Sequence, residues 1–87
     1  MKTVTVEVIT PERSVYKDAA EYLLVPAAAG PLAVLPGHAP FIGRLSAGVI
    51  RIDSKGSSLQ VSVGAGIFEV SPEKVTVIAD SAEVKRS

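Results

Sequence analysis

From Thr3 to Val8 the chain alternates polar and apolar residues strictly, Thr3-Val4-Thr5-Val6-Glu7-Val8. A repeat of two is the repeat of a strand, with one face turned to a core and the other to water. The β-branched content strengthens that reading. Four more runs of strand character follow at near-equal spacing, residues 48–53, 59–63, 67–70 and 75–79. Turn-forming residues separate them. Asp53-Ser54-Lys55-Gly56-Ser57 reads as a hairpin tip, Gly64-Ala65-Gly66 as a tight turn or bulge using positive φ, and Ser71-Pro72-Glu73-Lys74 as a type I turn with Pro second. Residues 14–25 carry two short apolar groups and read as a bent or paired strand. No window of a dozen residues has the 3.6 period of a helix, and residues 81–87 promise no more than a strand end. The expectation is an all-β chain, a sandwich or barrel forming a single domain over residues 1–87.

One stretch departs from this pattern. Between Glu21 and Arg44 lie 22 residues with no formal charge and a single His. Prolines 26, 31, 36 and 40 and glycines 30, 37 and 43 would break any helix here, so a membrane-spanning helix is excluded despite the hydropathy. An irregular or short-stranded apolar segment is expected, exposed enough to form a contact surface over residues 26–42. The absence of Cys points the same way. A domain of 87 residues buries only roughly 60–65% of its unfolded surface, and with no disulfide to help, a partner surface is the natural supplement.

The residues for chemistry are sparse. His38 is the only histidine, and its nearest carboxylates in sequence are Glu21 and Asp53, so neither a nucleophile–base pair nor a zinc set is indicated. A backbone-bonded turn residue or an interface contact fits it better. Gly64-Ala65-Gly66 begins like a dinucleotide fingerprint, but Glu69 holds the sixth position and a strand follows where a helix N-terminus is needed. Lys55-Gly56-Ser57 has the wrong order for a phosphate loop. Nine Lys plus Arg balance nine Asp plus Glu, and with two Tyr, two Phe and no Trp there is neither a basic groove nor a stacking platform for nucleic acid. No catalytic residue, cofactor or metal is expected, and no signal peptide is evident. Lys55 keeps a second reading open: a prosthetic-group carrier domain is a β-sandwich of this size with a modified lysine at a hairpin tip. A generic β interaction module is a third.

The run Leu35-Pro36-Gly37-His38-Ala39-Pro40-Phe41-Ile42, followed in order by Gly48-Val49-Ile50-Arg51-Ile52, Gly64-Ala65-Gly66-Ile67-Phe68-Glu69-Val70 and Val75-Thr76-Val77-Ile78-Ala79-Asp80, resembles the epsilon-subunit family of F-type ATP synthases. The opening strand, Val6-Glu7-Val8-Ile9-Thr10-Pro11-Glu12, is similar as well, so the resemblance covers nearly the whole chain. It implies a flattened ten-stranded β-sandwich. It also implies a non-catalytic central-stalk subunit of a proton-translocating complex, which links the gamma subunit to the polar loops of the c-ring and couples rotation to ATP synthesis.

The partner-binding positions that carry over are Pro36, Gly37, His38, Ala39 and Pro40, with Pro31 ahead of them. At Pro31 and Ala33 the family often has an acidic residue and a glycine. A packing contact is therefore expected at Pro31 in place of an electrostatic one, and an ordinary backbone φ at Ala33. Family members commonly continue past Ala79-Asp80-Ser81-Ala82-Glu83 into an α-helical hairpin that can inhibit ATP hydrolysis; this sequence stops at Ser87, and assembly and coupling without that inhibition are expected. The implied location is peripheral, on the cytoplasmic face of a bacterial inner membrane or the organellar equivalent, with membrane association only through the complex.

Overall fold

Burial in the computed structural model, which describes residues 2–86, follows the alternation residue by residue: Val4, Val6 and Val8 are buried while Thr5, Glu7 and Ile9 lie on the opposite face. Ten strands form: β1 (Val4–Ile9), β2 (Ser14–Ala20), β3 (Tyr22–Ala27), β4 (Gly30–Val34), β5 (Phe41–Leu45), β6 (Gly48–Ser54), β7 (Ser57–Val63), β8 (Gly66–Val70), β9 (Lys74–Ala79) and β10 (Ala82–Arg86). They divide into two five-stranded halves, β4-β3-β6-β7-β10 and β5-β8-β9-β1-β2. A single pair, Ala27 with Leu45, joins the halves at one corner. Two further bonds support that corner, Ala28 N–H to the Arg44 carbonyl at 2.9 Å and Ser46 N–H to the Pro26 carbonyl at 2.8 Å.

The chain changes halves at Glu21, between β2 and β3, where the Glu21 N–H donates to the Asp53 carbonyl at 2.9 Å. This resolves the bent run at residues 14–25 into two strands that pair with different neighbours, β2 with β1 and β3 with β4 and β6. β1 and β9 run parallel, from Thr5 opposite Lys74 to Ile9 opposite Ile78. A parallel neighbour demands a long connection, which the intervening seven strands supply.

Between the halves lies an aliphatic core in which Leu23, Val25, Val34, Ile50, Ile52, Val61, Val75 and Val77 are buried around one large ring, Phe68. The molecule measures 32 × 28 × 22 Å, and its 11.5 Å radius of gyration is close to the ~12 Å expected of a compact domain this long. No buried side-chain N or O atom lacks a partner among the described residues. Thr10 is the buried polar residue. Its Oγ donates to the Arg13 carbonyl, which also accepts the Thr10 N–H and so closes the β1–β2 turn around Pro11.

Two expectations change. Gly64-Ala65-Gly66 is a passage between halves, not a hairpin: β7 pairs with β6 and β10, whereas β8 pairs with β5 and β9. Neither glycine has a positive φ. Gly66 is required for space, because a Cβ there would overlap the Ile78 carbonyl oxygen and stand 2.9 Å from Ala79 Cα. The end of the chain forms a full strand, β10, paired with β7 from Ala82–Val63 to Arg86–Leu59. The uncharged middle is short-stranded as expected, with β3, β4 and the start of β5 in it and an irregular segment at residues 35–40 between β4 and β5.

Candidate partner-binding surface

Residues 35–40 carry the chain from one half of the sandwich to the other, and local chemistry holds their shape. Val34 is anchored in the core, after which Leu35 emerges 57% exposed. The turn closes through His38 N–H to the Leu35 carbonyl at 3.1 Å. Gly37 adopts φ +86°, which side-chain-bearing residues avoid, and its N–H donates to the Pro72 carbonyl at 2.9 Å. The loop is thereby tied to the β8–β9 turn. That turn is closed in its own right by Ser71 N–H to the Lys74 carbonyl, and by Ser71 Oγ, which donates to the same carbonyl and accepts the Lys74 N–H. Pro36 and Pro40 add fixed φ angles. Six residues without regular structure are thus pinned at both ends and once in the middle.

His38 is half-buried, and its Nδ1 lies 2.7 Å from the Ala39 carbonyl. A carbonyl oxygen only accepts, so Nδ1 carries the proton and the ring braces its own turn. Gly37, Ala39 and Pro40 are exposed and Pro36 is half-buried, so this part of the predicted site is gathered into one uncharged projection. Pro31 is not part of it. It sits exposed near the start of edge strand β4, opposite Pro26, and the three residues of strand that follow it carry the chain about 10 Å before it leaves β4 for the loop. Ala33, two residues on, has an ordinary φ as expected.

A larger apolar area adjoins the loop. After Pro40 the chain enters β5 with Phe41 47% and Ile42 69% exposed. On the outer face of the same half, Ile67 and Ile78 are paired across β8 and β9, and Ile78 is opposite Ile9 on β1. Ile42 is opposite Glu69, Ile67 is opposite Arg44, and Glu7 shares the outer face of β1 with Ile9, so charges of both signs border this aliphatic stripe. A hollow of about 150 Å³ lies among Ile42, Ile67, Ile78, Thr76, Glu69 and Phe68. An exposed patch of this kind is characteristic of a protein contact surface. The sequence carried a signal for it. Strict alternation in β8 and β9 puts Ile67 in phase with Glu69, and Ile78 in phase with Thr76, so two large aliphatic residues occupy polar positions.

Among the described residues each half carries an ion pair on its outer face, one between β1 and β9 beside Ile9 and Ile78 and one within β6. Glu7 accepts from Ser14 Oγ at 3.0 Å and lies 3.3 Å from Lys74 Nζ, and both contacts hold its carboxyl below the usual range. Asp53 is lowered likewise by Arg51 Nε at 3.1 Å and then by Ser58. Lys55 stands at the β6–β7 tip with φ +50°, followed by Gly56 at +78°, and its N–H donates to Glu21 Oε1 at 3.1 Å. Among the described residues no three His, Cys, Asp or Glu side chains are grouped to hold a metal.

Comparison with known proteins bears on these features together. The family model described as ATP synthase, Delta/Epsilon chain, beta-sandwich domain matches residues 3–85. The ATP synthase epsilon chain of Pelotomaculum thermopropionicum is 43% identical over 82 residues, 94% of this chain and 61% of that protein. That of Bacillus pumilus is 42% identical over 83 residues, 95% of this chain and 63% of that one. The chain therefore spans a little over three-fifths of the length of these relatives. In structure it is similar to a chain of the Euglena gracilis mitochondrial ATP synthase (TM-score 0.87, 15% identity, 94% of this chain and 53% of that one). A chain of the Tetrahymena thermophila mitochondrial ATP synthase central stalk and c-ring is similar too (TM-score 0.75, 12% identity, 94% and 66%). With an all-strand fold, a pinned uncharged loop and a family match spanning nearly every residue, the chain belongs to the ATP synthase delta/epsilon chain β-sandwich family.

Proposed function

We propose that the chain is a non-catalytic component of the central stalk of a proton-translocating F-type ATP synthase. It packs on the gamma subunit, meets the polar loops of the c-ring, and turns with both. The observation that carries this reading is the continuity of the uncharged Pro36–Pro40 loop with the exposed Ile42, Ile67 and Ile78 face, an apolar surface bordered by charges. That face and loop are assigned to gamma. Pro31, at the other end of β4, is assigned to a ring loop, with packing as the mode of contact.

The work asked of such a part is mechanical: to hold two partners in fixed orientation while torque passes between them. A closely packed β-sandwich suits this, since a packed interior has low compressibility and transmits strain. The loop suits it as well, because Gly37–Pro72 and His38–Leu35 leave it little freedom to yield. In this reading its side chains make and break no bond, and it reaches the membrane only through the complex, on the cytoplasmic face of a bacterial membrane or the organellar equivalent.

Co-purification with gamma tests the reading. Replacing residues 36–40 by Gly and Ser should weaken co-purification while the isolated domain keeps its cooperative thermal transition. Undiminished co-purification with the replaced loop would contradict the assignment, and loss of the transition would make the loop a part of the fold.

A further inference from the structure

β10 closes one side of the sandwich, yet it is the least anchored of the strands. Every strand from β1 to β9 places at least one side chain in the buried core, including the short β4 with Val34 and β5 with Leu45. Among its described side chains β10 places none: Ala82 and Val84 are half-buried, and Glu83 and Lys85 are exposed. It is paired on one edge alone, to β7.

Its other edge faces β2 across a gap. A cavity of about 590 Å³ lies there, lined by Arg13, Val15, Tyr16, Ala82, Glu83 and Val84. A second, of about 290 Å³, undercuts the start of the strand between Ser62–Gly64 and Ser81–Glu83. Just before β10 the backbone is fixed, by Asp80 N–H to the Ala65 carbonyl at 3.0 Å and Gly64 N–H to the Ser81 carbonyl at 2.9 Å. The strand therefore has a fixed root, a shallow apolar footprint and open space along the edge that faces β2.

We propose that β10 is a detachable strap, which swings away from β7 about Asp80–Ser81 while the other nine strands keep their packing. Among the described side chains, opening gives up one strand's ladder and the packing of Ala82 and Val84 against the core, against the whole core for global unfolding, which is the condition for an independent local transition. It would bare the Leu59–Val63 edge of β7 and widen the β2 side of the sandwich. The Pro36–Pro40 loop and the isoleucine face on β5, β8 and β9 would be untouched. This inference stands apart from the proposed function.

Native-state hydrogen exchange on the chain provides the test, with an internal control inside β7. Amides of a central antiparallel strand point alternately to its two neighbours. The β7 amides that donate to β10, and the β10 amides that donate to β7, should share one protection level, at least ~100-fold below that of the β7 amides donating to β6, and vary little with sub-denaturing urea. Val84→Ala should lower that shared level further and leave the β1–β9 amides unchanged. Equal protection on the two sides of β7, or a Val84→Ala effect that reaches β1 and β9 in equal measure, would make β10 part of the single cooperative unit and overturn the proposal.

Discussion

Gly66, Lys55 and Glu7 show how much hangs on single residues. At Gly66 the constraint is space, so Gly66→Ala forces backbone apart and should cost about 3 kcal/mol or more, read as a lower urea midpoint at unchanged slope. At Lys55 the constraint is backbone conformation alone, as its side chain is exposed and φ is +50°. Lys55→Asn should therefore gain several tenths of a kcal/mol, Asn tolerating the left-handed region better. Both positions belong to segments legible in the sequence as glycine-bearing connections, but the reason for the glycine differs. A positive φ and a close approach leave the same letter, and only the partner across the gap, Ile78 for Gly66, tells them apart. Glu7 gives a pH prediction. Its folded-state pKa is lowered, so its contribution is present above the ordinary carboxylate value and is lost as pH falls through the folded one. Stability should thus decline below about pH 4.5, and Glu7→Gln should make that decline shallower while lowering stability at neutral pH.

At the scale of elements, the strands were readable and their partners were not. The period of two in β1, β6, β7, β8 and β9 is local, decided by which side chains face a core. The parallel neighbourhood of β1 and β9 joins residues nearly seventy positions apart, and nothing local encodes it. β10 leaves only a weak signal in the sequence for a physical reason: its register comes from β7, and its own residues bury little. For the contact surface, the Pro-Gly-His-Ala-Pro run was visible as a motif, whereas Ile67 and Ile78 needed the strand phase to be followed residue by residue. They also yield a sharp prediction. Ile67→Lys changes an exposed side chain and should alter stability by no more than about 0.5 kcal/mol, yet it should weaken binding to gamma markedly, measured by calorimetric titration.

For the whole molecule, the two halves divide the labour. The half containing β5, β8, β9 and β1 presents the aliphatic stripe and, through Gly37–Pro72, steadies the loop beside it. The other half's outer face carries Arg51, Asp53, Gln60 and Glu83 together with the exposed Val49, Pro31 and Ala33, a mixed surface without an aliphatic stripe. In the proposed function the first half meets gamma and the Pro31 edge of the second meets the ring, with a closely packed body between them. The chain has no Cys, so one introduced thiol is a unique probe. The most direct measurement is site-directed cross-linking in the assembled complex, with a short thiol-anchored photoreagent on Ile67→Cys and, separately, on Gln60→Cys. The account predicts a gamma adduct from position 67 and none from position 60; adducts in equal yield from both, or from position 60 alone, would contradict it.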